Sequence, residues 1–144
     1  MSIVDDGRCF ACGPLSERGL HLRFAITGDG SVRATTVLDQ VYQGWVGIAH
    51  GGIAMTLIDE AMAHAAGAAG ERCVSADVRV RFRRPLPLGE PLTVEGRVEW
   101  RRRNVLGVSA SVSDAQGRTL ISGTGSMVSH GDIEPGRLGA GTGT

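Results

Sequence analysis

A chain of 144 residues, 42% of them hydrophobic, is sized for one domain with its own core. Its 15 basic and 15 acidic residues cancel, which argues against nucleic acid as a general partner. No apolar run approaches the roughly 20 residues of a membrane-spanning helix.

The first residues carry Asp5, Asp6 and Arg8 in place of the apolar centre of a signal peptide, and the three cysteines cannot all pair. Both features point to a reducing, cytoplasmic setting. Cys9-x-x-Cys12 invites a metal reading, but a tetrahedral zinc site needs four ligands. Only Cys73 and the 4 histidines remain, with no second paired spacing. No metal is expected, and residues 1–20 read as an N-terminal lid segment.

His21–Ile26 and Val32–Leu38 read as strands joined by the turn Thr27-Gly28-Asp29-Gly30. From Ile53 to Ala68 the residues Ala54, Leu57, Ile58, Ala61, Met62, Ala65 and Ala68 recur at three- and four-residue steps, which predicts a helix packed on one face. Its many alanines would let a second backbone come close, and Gly67 and Gly70 would end it. Val78, Val80 and Phe82 then alternate with Asp77, Arg79, Arg81 and Arg83, and Pro85 and Pro87 stop that strand. Leu92, Val94, Val98 and Trp100 mark the next strand, Val108 to Val112 another, and Leu120 to Val128 the last. Six strands with one helix between the second and third read as an α+β fold, an antiparallel sheet wrapped on one long central helix. The domain spans residues 21–130, and the glycine-rich tail 131–144 is expected to be disordered.

Every basic residue is an arginine, and Arg79, Arg81, Arg83, Arg84, Arg97 and Arg101 to Arg103 crowd one quarter of the chain. Such a cluster suits a solvated sheet face or a polyanionic ligand. No phosphate-binding glycine loop follows a strand, because Gly28-x-Gly30 sits in a hairpin turn, so no cofactor is expected.

The chemistry concentrates at His50-Gly51-Gly52 and Asp59. A helix N-terminus offers backbone N–H groups without intrahelical partners and a partial positive charge, which can polarise a carbonyl. Paired glycines leave that backbone open to close approach. A carboxylate further along the helix supplies a base or a nucleophile, and the two together are what acyl transfer requires. Asp59 lies in sequence among Met55, Ile58 and Met62, an uncommon place for an acid without a task. Glu60 points about 100° away on a helix and reads as structural or rim-exposed, with a fallback role as base.

Gly47-Ile48-Ala49-His50-Gly51-Gly52, continuing through Leu57-Ile58-Asp59-Glu60-Ala61-Met62, resembles the helix signature of the hotdog-fold acyl-CoA thioesterases of the phenylacetate-pathway, 4-hydroxybenzoyl-CoA thioesterase-like type. Cys9-Phe10-Ala11-Cys12-Gly13 with Gly19-Leu20-His21-Leu22, and the strand from Ser75 to Arg84-Pro85, resemble two further signatures of that family in the expected order. The resemblance implies a hotdog fold and hydrolysis of an acyl- or aryl-CoA thioester to free acid and coenzyme A. The other reading is a non-catalytic hotdog protein that binds acyl-CoA or an acylated partner.

By the resemblance, Asp59 is the catalytic carboxylate, either directing water or attacking the thioester itself. Gly51 supplies the N–H that polarises the carbonyl, and Gly52 assists. His50 orders the loop by hydrogen bonding, and Ser75 orients the water or the carboxylate. Gln43 is a polar contact near the thioester, Met55 contributes to the acyl pocket with Trp45, Val46, Ile48, Leu57, Met62 and Phe82, and Arg83 and Arg84 are candidates for the coenzyme A phosphates. Gly51 and Asp59, eight positions apart, would lie roughly 12 Å apart along a helix. A homodimer with antiparallel helices and shared sites is therefore expected, with assembly to a tetramer left open.

Overall fold

The computed structural model describes residues 2–139. In chain order they form β1 (Ala25–Ile26), β2 (Val32–Val37), a short 3-10 turn (Gln40–Tyr42), α1 (Gly51–Ala68), β3 (Glu71–Phe82), β4 (Pro91–Arg102), β5 (Val105–Ser113) and β6 (Thr119–Asp132). All strand pairs are antiparallel, and the sheet order is β1-β2-β4-β5-β6-β3. The sheet curls around α1, as a hotdog fold does.

The apolar spacing fixes which side of α1 is covered. Leu57, Ile58 and Met62 are fully buried against Leu92, Val94, Leu106, Val112 and Ile121 of the sheet. Each such side chain contributes about 1.5–3 kcal/mol on leaving water. The alanines lie on this same buried face, with Ala54, Ala61, Ala65 and Ala66 all at 2% exposure or less. The close approach they allow is to the chain's own sheet. At Gly96 of β4 an added Cβ would stand 2.7 Å from the carbonyl carbon of Ala61, so only glycine fits there. The expectation that this face meets a second helix is thereby corrected.

The helix begins two residues, about half a turn, earlier than its apolar pattern, at Gly51, and runs through Gly67 to Ala68. Gly67 does not end it. Gly70, with φ +89, takes the left-handed position beyond the cap and turns the chain into β3. The predicted first strand shrinks to two residues, because His21 sits at φ 52 and Leu22 donates its N–H to Ala11 of the N-terminal segment. In β4 a register shift between Val98 and Trp100 breaks the alternation. Trp100 is therefore 52% exposed, lying across Gly107 on the outer face.

The N-terminal segment shares the main core through Ala11, Cys12 and Leu22. The tail from residue 131 starts as strand and then folds back. Ile133 donates to Gly70, Leu138 packs on Gly67, and the Gly139 N–H donates to Asp5 at 2.9 Å. Residues 140–144 of the expected tail lie outside the described residues. No helix among those described is long and apolar enough to cross a membrane.

Candidate active site

The helix entry is held by two local devices. The loop Gly44–Ile48 closes on itself, with Gly44 donating to Ile48 and Ile48 to Trp45, and the Gln43 side-chain oxygen accepts the Gly47 N–H at 3.0 Å. His50 then caps α1, its Nδ1 accepting the Gly52 N–H at 2.9 Å. Two expected roles change as a result. The Gly52 N–H is committed to His50, and the Gln43 oxygen is committed to its own loop. The Gly51 N–H has no acceptor among the described residues, and Gly51 is exposed.

Asp59 stands two turns further along. It shares an exposed stripe of α1 with Gly52 and Met55, while its sequence neighbours Ile58 and Met62 face the sheet. The carboxylate is thus solvent-accessible, contrary to the apolar surroundings suggested by its neighbours. Ser75 of β3 donates its hydroxyl to Asp59 Oδ1. Counting back from the half-buried Val80 and Val78, strict alternation would aim Ala76 at the helix. A bulge between Ser75 and Asp77 re-aims Ser75 instead. Glu60 is not at the rim: its side chain is only 12% exposed, and it lies 3.2 Å from His64 and 3.7 Å from Cys9 Sγ.

The expected acyl-pocket residues divide into two sets. Leu57 and Met62 are fully buried in the core, whereas Trp45, Val46, Met55 and Phe82 are exposed, Trp45 by 84% and Val46 by 90%, with Ile48 half-buried between the two sets. The arginines divide too. Arg33, Arg97 and Arg101 pair with Glu95, Glu99 and Glu71. Arg79, Arg81, Arg83 and Arg84 are exposed and make no ion pair among the described residues. Arg79 and Arg81 lie on β3, and Arg83 and Arg84, just beyond it, line a groove with Arg118, Ser111 and Ser122. Phe82, between them in sequence, comes within 4.0 Å of the place a Cβ on Gly51 would occupy.

Residues 46–121 match the family model described as Thioesterase superfamily, a stretch that holds Gly51, Asp59 and Ser75 together. The chain belongs to the thioesterase superfamily. Among other members, an acyl-coenzyme A thioesterase from Bos taurus is 28% identical over 109 residues, covering 74% of this chain. The chain spans 45% of that relative's length. A thioesterase superfamily protein of known crystal structure superposes with a TM-score of 0.82 at 27% identity, covering 89% of this chain and 67% of that one. The Escherichia coli PaaI protein of the phenylacetic acid degradation operon shares the fold at a TM-score of 0.73 and 22% identity, covering 80% and 84% of the two chains. A Streptococcus mutans protein solved with acetyl-CoA does so at 0.69 and 22%, covering 78% and 91%.

Sequence reasoning missed one cluster. Cys9, Cys12 and Glu60 bring their ligand atoms within 4.8 Å of one another. Paired cysteine and histidine spacings do not reveal it, because Cys9 and Glu60 are 51 positions apart.

Proposed function

We propose that this chain hydrolyses acyl-CoA thioesters. The observation that carries the reading is the solvent-facing Asp59 carboxylate, fixed by the Ser75 hydroxyl on the same stripe of α1 whose N-terminus leaves the Gly51 N–H open. The thioester oxygen is placed at that N–H, which takes up the negative charge developing on it. Asp59, as base, draws a proton from water as it adds to the carbonyl carbon, or, as nucleophile, attacks that carbon first. In the first course the C–S bond breaks as the tetrahedral adduct collapses, the thiolate takes up the proton drawn from water, and a free acid and coenzyme A result. In the second the C–S bond breaks to give an acyl-Asp59 anhydride, the thiolate takes a proton from solvent, and water then hydrolyses the anhydride to the free acid and the Asp59 carboxylate. The unpaired Arg83 and Arg84 are assigned to the coenzyme's phosphates. The Bos taurus relative and the acetyl-CoA complex of the Streptococcus mutans protein support this substrate class.

The working unit is a homodimer. Eight residues of helix separate Gly51 from Asp59 by about 12 Å, too far for both to touch one thioester. We place Gly51 of one protomer opposite Asp59 of its partner, with the helices antiparallel. Two features support a second copy here. Among the described residues, strand β3 is an edge strand, paired only with β6, and the exposed Trp45, Val46, Met55, Val74 and Phe82 lie on or beside the helix entry and that edge. The free cysteines agree with a cytoplasmic setting.

The test is turnover of short-chain, medium-chain and aryl-CoA thioesters by purified protein. Asp59→Asn should lower kcat by about 10²–10⁴ while binding persists. Wild-type turnover in that variant refutes the assignment, and no turnover of any thioester by the native protein leaves an acyl-CoA-binding hotdog protein. Co-expression of Asp59→Asn with Gly51→Pro should restore activity that neither homodimer has, since a mixed dimer contains one intact site. Folded mixed dimers that stay inactive would refute the shared site.

A further inference from the structure

We propose that Cys9, Cys12, Glu60 and His64 form a structural zinc site that pins the N-terminal segment to the C-terminal half of α1.

Three of the four ligand atoms, from Cys9, Cys12 and Glu60, are already gathered, and His64 adjoins them through Glu60. Zinc bonds of about 2.3 Å to sulfur and 2.0–2.1 Å to nitrogen or oxygen, at tetrahedral angles, put ligand atoms about 3.5 Å (S···O) and about 3.3 Å (N···O) apart. Glu60 Oε1 lies 3.7 Å from Cys9 Sγ and 3.2 Å from His64 Nε2. The Cys12 sulfur lies within 4.8 Å of both the Cys9 sulfur and the Glu60 carboxylate. Glu60 and His64 stand at i and i+4 on α1, so one helix face presents both.

His64 supplies an independent sign. Its side chain is 9% exposed, and its Nε2 is buried without a hydrogen-bond partner among the described residues, although Glu60 is close by. A buried imidazole nitrogen in that state carries a cost that a metal bond would remove. Phe24 stacks on the ring at 4.5 Å and holds its orientation. A Cβ on Gly139 would meet both Cys12 Sγ and His64 Cε1, so the sulfur and the imidazole face the same point of the tail.

The cysteine turn is shaped for thiolates. Ala11 directs its N–H at Cys9 Sγ at 3.4 Å, and Gly13 donates to the Cys9 carbonyl at 2.8 Å. At Gly13 a Cβ would stand 2.8 Å from the Arg8 carbonyl carbon, so the Cys-x-x-Cys-Gly turn needs its glycine. Two thiolates, one imidazole and one carboxylate select zinc over magnesium or calcium, and four protein ligands leave no position for substrate. The metal would be structural, remote from the Ser75–Asp59 pair. A cavity of about 350 Å³ lined by Cys9, Cys12, Glu60 and Arg72 gives the ion a way in. Binding would expel the two thiol protons.

The reduced protein, stripped with a chelator, should take up Co²⁺ with tetrahedral and thiolate charge-transfer absorption that saturates at about one equivalent per chain and is bleached by Zn²⁺. Cys12→Ser and His64→Gln should each weaken zinc binding by more than about 100-fold, beyond the effect of an outer-sphere partner. Absence of the thiolate bands in the native protein overturns the site, and so do folded variants that bind zinc as tightly as the native chain. Neither readout depends on hydrolysis, so failure of the Asp59 chemistry would leave the metal result standing.

Discussion

Gly96→Ala should both destabilise the protein and slow it. The new Cβ would stand 2.7 Å from the carbonyl carbon of Ala61 and 3.2 Å from its Cβ, and closer still to its carbonyl oxygen. Carbon atoms in contact prefer about 3.5–4.0 Å, so the helix must lift from the sheet by about 1 Å. Overpacking of that kind costs about 1–3 kcal/mol. For a chain of this size the melting midpoint should drop by roughly 4 °C for each kcal/mol, or roughly 4–12 °C in all. The same lift carries Asp59 on α1 away from Ser75 on β3, and a misplacement of about 1 Å can cost about 10² in rate. Thermal melts followed by circular dichroism, with thioester turnover on the same samples, measure both effects. Ala61→Gly should not rescue the variant, because the obstacle is main chain. Gly28→Ala, in an open turn with nothing near its Cβ position, is the neutral control. Gly96→Ala with an unchanged midpoint would refute the close-packing argument. A lowered midpoint with full activity would refute the coupling of helix height to the Asp59–Ser75 pair.

Ser75→Ala removes a hydrogen bond to a charged carboxylate, worth about 1.5–3 kcal/mol, so kcat should fall by roughly 10–100-fold with KM little changed; an unaltered kcat retires its role. Burial and the charge of Glu71, partly offset by Arg101, push the Cys73 thiol up to about 11 from its ordinary 9.0. The folded chain therefore holds this proton more tightly than the unfolded one. Stability in chelator should be intact below pH 9.0 and decline as the pH rises towards about 11. Cys12, raised in the same direction, adds to that slope. Cys73→Ala should flatten part of it in urea titrations, and an identical slope in the variant would show that this thiol is not responsible.

The helix was legible because Leu57, Ile58, Ala61, Met62 and Ala65 mark a buried face at three- and four-residue steps, and these residues are buried in the structure. Its first turn was not, since Gly51 and Gly52 carry no side chain to enter an apolar pattern. Most strands followed period-two alternation, which fails where the ladder slips: Trp100 continues the pattern in sequence but emerges on the outer face after the register shift. The Ser75–Asp59 contact came from family resemblance alone, because the bulge that turns Ser75 towards the helix leaves no mark in composition. Of the two places read for Glu60, structural or at the rim, its burial rules out the rim. The residues that bury it, Cys9, Cys12 and His64, include two separated from it by about fifty positions, a distance local periodicity does not span.

The tie between Asp5 and Gly139 brings the two ends of the described chain to one pole of the molecule, where Leu138 also rests on Gly67 near the end of α1. The open Gly51 N–H is at the other end of that helix. At about 1.5 Å per residue, the 18 residues of α1 hold these poles about 27 Å apart. Near Asp5 or Gly139, a purification tag, fluorescent reporter or surface anchor would therefore join the fold at the cysteine pole of its own protomer, about 27 Å of helix away from that protomer's Gly51.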